Sequence, residues 1–387
     1  MMAEKITSIN SKMLTWARIE SKTAVETAEQ KFKNIYKWEN GEDFPTYAQL
    51  RALSDFYRKP IAIFFFPEPP EIKNIVSSFR TLPESAFSLI SREVKKVIDW
   101  ARVMQLNLYE LADNANPATR KLTDYRFDLS NISNTALQLR ELLGATLNSQ
   151  KQIGKVSDAF EYWRECFFGI GVFVFKEAFK DNSISGFCIY DNEFPIICVN
   201  NSLSASRQVF TLFHEAYHLI RQTGGIDLLD DSIFDSQSHD EYEIEILCNR
   251  FAGEFLVPTD DFVTTIQKIG AINDTHIENL ASLYCVSREV IMRKFLGLRI
   301  ISSEQYEEKR EEYRKEYFRF TEEEKQKNKG GGNYFSTQLT YKGKHYTELA
   351  FNGYYAQKFP VTQLAQYMGM KIASIQVIAS MKGWGAL

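Results

Sequence analysis

Residues 207–220 read RQVFTLFHEAYHLI, and this stretch decides the fold. It sets His214 and His218 four residues apart around Glu215. On a helix, positions four apart share a face, so both imidazoles reach one tetrahedral ion, and the glutamate beside the first can sit over an attacking water. The chain has just five histidines, so an accidental pair at this spacing around a glutamate is rare. Leu212, Phe213, Leu219 and Ile220 predict a helix packed into a core with its histidines turned to a cleft, starting near Ser204 and stopping before Gly224 and Gly225.

Upstream, GIGVFVF (169–175), GFCIYDN (186–192) and PIICVN (195–200) are β-branched and aromatic runs bounded by Gly, Asn and Pro, which predict two or three strands. Downstream, a helix is expected from about Glu241 to Leu256, closed by Pro258, and Ile277 to Phe295 is expected to be helical again. A zinc peptidase site needs a third protein ligand and an open position for water. Glu245 is the candidate, with Glu241 as the alternative one turn earlier on the same face. Asn249, one turn after Glu245, can hydrogen-bond a ligand histidine, and Arg207 is a second candidate for such support. The chemistry asks that Glu215 take a proton from water and that a donor meet the developing oxyanion. His239, between the two helices, is a candidate for that donor.

The run RQVFTLFHEAYHLI followed by EILCNRFAGEFLVP resembles the ImmA/IrrE family of cytosolic gluzincin-like metallopeptidases, whose pattern is RxxFTxxHExxH and then ExxxNxFAxxxLxP. The resemblance covers about residues 150–300. It implies His214, His218 and Glu245 as Zn²⁺ ligands and Glu215 as general base. It also implies a peptide-binding edge strand before the helix, which would fall at Gly186, Phe187 and Cys188. Family members often cleave a repressor or antitoxin-like partner in stress, mobile-element or phage-defence settings, and often carry an N-terminal XRE-type helix-turn-helix. Residues 14–58 are similar to such a unit, but the stretch from Ala28 to Trp38 is too short for a full recognition helix.

The expected fold class is α+β: a gluzincin-like peptidase domain, a small sheet plus the HExxH helix, flanked by mainly helical domains. Length agrees, since 387 residues at roughly 150 per domain make two or three domains. The divisions expected are 1–70, a degraded XRE-like unit; 71–148, a helical connector; 149–300, the peptidase; 301–332, a charged linker helix closed by three glycines; and 333–387, a basic helical domain. Within the last, Ala365, Gly369 and Ile375 fit a helix-turn-helix spacing.

Charge is uneven although the net is -4. Residues 226–262 hold eleven acids against Arg250, whereas 330–387 hold five lysines against Glu348. The basic tail makes DNA a candidate partner, with Lys358, Lys371 and Lys382 as phosphate contacts. Residues 1–70 hold ten basic and nine acidic side chains, too balanced for strong phosphate binding. Five cysteines, at 166, 188, 198, 248 and 285, lack any CxxC and are expected to be buried thiols rather than a disulfide framework or zinc ribbon. The longest apolar run, Ile61–Phe66, falls far short of the roughly 20 residues a membrane span needs, and residues 1–30 hold no secretory h-region. A cytoplasmic location is therefore expected, with no membrane partner.

Two functions remain in view. The first is a zinc-dependent endopeptidase that cuts a protein partner such as a repressor or antitoxin-like regulator. The second is a DNA-binding transcriptional regulator or antitoxin whose peptidase fold is a sensor or scaffold. The intact His-Glu-His-Glu set favours the first, because a scaffold has no need of Glu215. A second copy of the chain is a further candidate partner for either.

Overall fold

The computed structural model describes residues 5–384 except 22, 58, 60, 67, 69–90, 224, 229–238, 270–271 and 328–333. Four helices, α1 (Ser11–Glu20), α2 (Val25–Lys31), α3 (Ile35–Glu39) and α4 (Tyr47–Tyr57), form an N-terminal unit with a short 3-10 turn at Ile61–Phe65. Met13, Leu14, Ala17, Ala28, Ile35, Trp38, Leu50 and Leu53 close its own apolar core. Helix α5 (Arg92–Leu111) follows, then α6 (Ile132–Leu142), α7 (Leu147–Lys151) and α8 (Val156–Gly169).

The sheet comprises β1 (Phe173–Glu177), β2 (Ile184–Ile189), β3 (Ile196–Asn200) and β4 (Gly225–Leu228) in the order β1-β3-β2-β4. Strands β1 and β3 run parallel with Phe173 opposite Ile196. Strand β2 is antiparallel to β3 and to β4. Both faces of β1, β2 and β3 are covered, which is why Phe173–Phe175, Phe187–Ile189 and Ile196–Val199 run as consecutive apolar residues rather than alternating with polar ones. Val174, Cys188, Ile197 and Val199 pack toward helix α9 (Ala205–Ile220) and its neighbours. Phe173, Phe175, Phe187, Ile196 and Cys198 pack on the opposite face against α5 and the C-terminal helices.

The edge-strand assignment for Gly186, Phe187 and Cys188 is corrected by this order. Strand β2 has β3 on one side and β4 on the other, so its backbone groups are already engaged on both flanks. Among the described residues the edges are β1 and β4. Gly186 serves packing instead: a Cβ there would stand 2.5 Å from Thr211 Cγ2 and 2.9 Å from the Cys198 carbonyl oxygen. Glycine is what lets α9 lie this close to the sheet.

After α9 and β4 come α10 (His239–Leu256), α11 (Thr259–Ile266), α12 (Asp274–Tyr284) and α13 (Arg288–Gly297). The helical stretch expected over 277–295 comprises two helices. Cys285 takes a left-handed conformation with φ 56°, and Ser287 caps the next helix by accepting from the Val290 amide. Helix α14 (Ser303–Lys327) is more than a solvated linker, because Tyr306 and Tyr313 are buried and Arg288 lies 4.1 Å over the Tyr313 ring.

Helices α15 (Tyr334–Lys342), α16 (Lys344–Tyr355), α17 (Val361–Met368) and α18 (Ile372–Lys382) end the chain. Tyr346, Phe351, Leu364 and Ile375 bury against the same cluster as the sheet's second face. Gly369 makes the turn between α17 and α18 at φ 60°. Among the described residues no helix is long and apolar enough to cross a membrane.

Candidate metal centre

Helix α9 is capped by Ser204, whose side chain accepts from the Arg207 amide, and its residues from Thr211 to Ile220 are buried throughout. His214 is 1% exposed, while Glu215 and His218 are fully buried. Such burial of polar side chains costs stability unless each is paired or ligating. Helix α10 runs beside α9 and presents Glu245, Cys248 and Asn249, three and four residues apart and so on one face.

The two helices bring these groups together. The Nε2 of His214 is 3.0 Å from Glu245 Oε2, and the Nε2 of His218 is 3.3 Å from Glu245 Oε1. Two imidazoles therefore converge on the two oxygens of one carboxylate. Asn249 Oδ1 stands 3.1 Å from His214 Nδ1, where accepting a hydrogen bond from Nδ1–H would leave Nε2 free of hydrogen and able to ligate. The Nδ1 of His218 is buried with no hydrogen-bond partner among the described residues. Burial alone would raise the Glu245 carboxyl, yet the imidazoles of His218 and His214 outweigh it and hold the group well below the usual carboxylate range.

The donor set fits a zinc ion. Nitrogen and oxygen donors about 2.0–2.2 Å from a tetrahedral ion stand roughly 3.4 Å from one another, close to the separations seen here. Two imidazoles and one carboxylate, all buried, are donors of the kinds that bind zinc.

The surroundings hold the two helices in place. Trp163, Phe213 and Phe255 pack edge-on or stacked between α8, α9 and α10. Arg140 of α6 donates to the Phe255 carbonyl oxygen at 2.6 Å and to Gln150 Oε1 at 2.8 Å. Gln150 in turn donates to the carbonyl oxygens of Leu256 and Tyr284, each at 2.8 Å. A cation with its hydrogen bonds thus meets the last carbonyls of α10, where the helix dipole is negative. Burial lowers the Arg140 guanidinium to about 10.

The sequence singled out four further residues. Arg207 donates from Nε to Ser185 Oγ at 3.0 Å, which ties the start of α9 to β2. The side chains of His239 and Glu241 lie outside the described residues. Cys248, read from sequence as a buried thiol, is buried but stands 3.4 Å from His218 Nε2. His214, His218 and Cys248 have donor atoms all within 4.8 Å of one another. The available signal was helical spacing, since Cys248 follows Glu245 by three residues.

Comparison with known proteins finds matches over the same segment. The Peptidase_M78 family model, described as an IrrE N-terminal-like domain, matches residues 169–296. Over those residues the chain resembles the IrrE N-terminal-like domain. The IrrE-like segment runs from the end of α8 to α13 and contains the whole His-Glu-Cys-Asn cluster. The radiation response metalloprotease IrrE of Deinococcus deserti is 37% identical over 91 residues, 21% of this chain and 30% of that protein. The chain therefore spans under a third of that relative's length. A solved Mycobacterium tuberculosis transcriptional regulator shares 16% identity over 45% of this chain and 50% of its own, with a TM-score of 0.29, a likeness too slight to carry an argument.

Proposed function

We propose that this chain is a gluzincin-like zinc endopeptidase that cleaves a protein partner. His214, His218 and Glu245 hold the ion and Glu215 is the general base. The observation that carries this reading is the convergence of His214 Nε2 and His218 Nε2 on the two Glu245 oxygens, at 3.0 and 3.3 Å.

Zinc, when bound there, supplies Lewis-acid polarisation of a scissile carbonyl and lowers the pKa of water. The protein does the rest. Glu215, rigid in the buried middle of α9, accepts the proton of the attacking water at its carboxylate and delivers it to the leaving amine. Asn249 fixes the ring of His214, and Arg140 fixes the end of α10. With β2 interior, an extended substrate would pair with β4, which among the described residues has a strand on one side only.

In this reading the IrrE-like domain is the engine and the flanking units select the partner. The divisions 1–70, 71–148, 149–300, 301–332 and 333–387 express that arrangement. A repressor or antitoxin-like regulator is the substrate class proposed, by analogy with metalloproteases of this family. The five-residue α3 is short for a helix that reads a major groove, so a protein-docking role is proposed for the N-terminal unit.

The test is a trap. Full-length Glu215→Gln, expressed in the source cell, should capture a protein that the wild type cuts, and purified wild type should cleave the captured protein while the variant does so about 10²–10⁴-fold more slowly. Equal biological effect from wild type and Glu215→Gln, with unaltered repression of a promoter, would replace the peptidase with the regulator reading.

A further inference from the structure

Cys248 occupies a position that the ExxxNxFA pattern leaves open, and no role in the peptidase account uses it. Its Sγ is 3.4 Å from His218 Nε2 and lies within 4.8 Å of donor atoms of both His218 and His214. The side chain is fully buried on the face of α10 that carries Glu245 and Asn249. A tetrahedral zinc with a thiolate at about 2.3 Å and an imidazole at about 2.0–2.1 Å sets sulfur and nitrogen roughly 3.5 Å apart. The observed separation of Sγ and His218 Nε2 meets that requirement.

We infer that Cys248 is a fourth protein donor to the metal, which closes the site in the resting protein. The inference rests on the zinc reading above. Two imidazoles, one carboxylate and one thiolate fill a tetrahedron, and four protein donors mark a closed zinc site rather than an open one. Binding as the thiolate releases the thiol proton to solvent. Turnover then requires the sulfur to yield its place to water or substrate, so the chain is latent until a partner or substrate draws Cys248 away. A soft sulfur donor also favours zinc over manganese or magnesium at this site.

Cobalt(II) separates the two claims, because its visible bands report a tetrahedral site while a near-ultraviolet charge-transfer band reports sulfur bound to the metal. The full chain is stripped with a chelator under reducing conditions and titrated with cobalt. Wild type and Cys166→Ala should show both signals. Cys248→Ala should keep the visible bands, lose the near-ultraviolet band and bind zinc at least roughly tenfold more weakly against a chromophoric chelator. Should that variant fail to fold, Cys248→Ser is read in the same way, and the wild-type spectrum alone still decides. Visible bands without charge transfer in the wild type overturn the thiolate ligand and leave the His-His-Glu site standing. No cobalt uptake by the wild type overturns both.

Discussion

Each residue of the cluster has a separable task. Asn249 touches His214 at Nδ1 and no metal donor position, so Asn249→Ala should keep one zinc per chain at saturation while lowering zinc affinity about 10- to 100-fold, measured by chelator competition. Unchanged affinity would remove it from the site. Gly186 is the counterpart on the sheet side. Adding a Cβ 2.5 Å from Thr211 Cγ2 should cost about 1–3 kcal/mol through overpacking, seen as a lower melting temperature for Gly186→Ala. A neutral result would mean that α9 can move off the sheet. The metal-helix residues were legible in sequence because their signal is local: four-residue spacing puts His214 and His218 on one face whatever the tertiary fold. Cys248 was not legible as a donor, because only the crossing of α9 and α10 brings its sulfur to His218.

Elements carry the next level of the account. Helix α10 holds Glu245, Cys248 and Asn249 on one face and is pinned at its end by Arg140 and Gln150. Removing a charged donor from buried carbonyls costs about 1.5–3 kcal/mol. Arg140→Ala should therefore lower the denaturant midpoint and, by loosening α10, weaken zinc binding as well. A loss of stability with zinc affinity intact would show that the cluster is positioned by α9 alone. At this scale the sequence told helices from strands well and strand order poorly. Apolar runs mark the strands at 173–177, 184–189 and 196–200, but sheet order depends on β4, which lies between Gly-Gly and an acidic stretch and carries little strand signal. Only β4, on the second side of β2, makes that strand interior.

At the scale of the whole molecule, the sheet is sandwiched between the metal helices and the C-terminal unit. Arg164 fastens that unit by donating to the Val174, Thr340 and Tyr341 carbonyl oxygens at 2.7, 2.7 and 2.9 Å. Gly343, at φ 82° and with its ideal Cβ 2.6 Å from Arg164 Cζ, allows the approach. Lys342 beside it is buried with Nζ donating to Gln338 Oε1 at 2.9 Å. Burial lowers its ammonium to about 8, opposed by Glu177. The folded state thus gives up this proton before the unfolded chain does, so the penalty is full below pH 8 and relieved as pH rises toward the ordinary lysine value. Raising pH from 7 to about 9.5 should stabilise wild type relative to Lys342→Met by about 2 kcal/mol, read from urea midpoints. Parallel pH profiles would mean that this lysine is solvated. The central claim concerns the metal, and elemental mass spectrometry of the purified full chain tests it most directly. The account predicts about one zinc per chain in the wild type and its loss in both His218→Ala and Glu245→Ala. Wild-type protein that holds no zinc after reconstitution would contradict it.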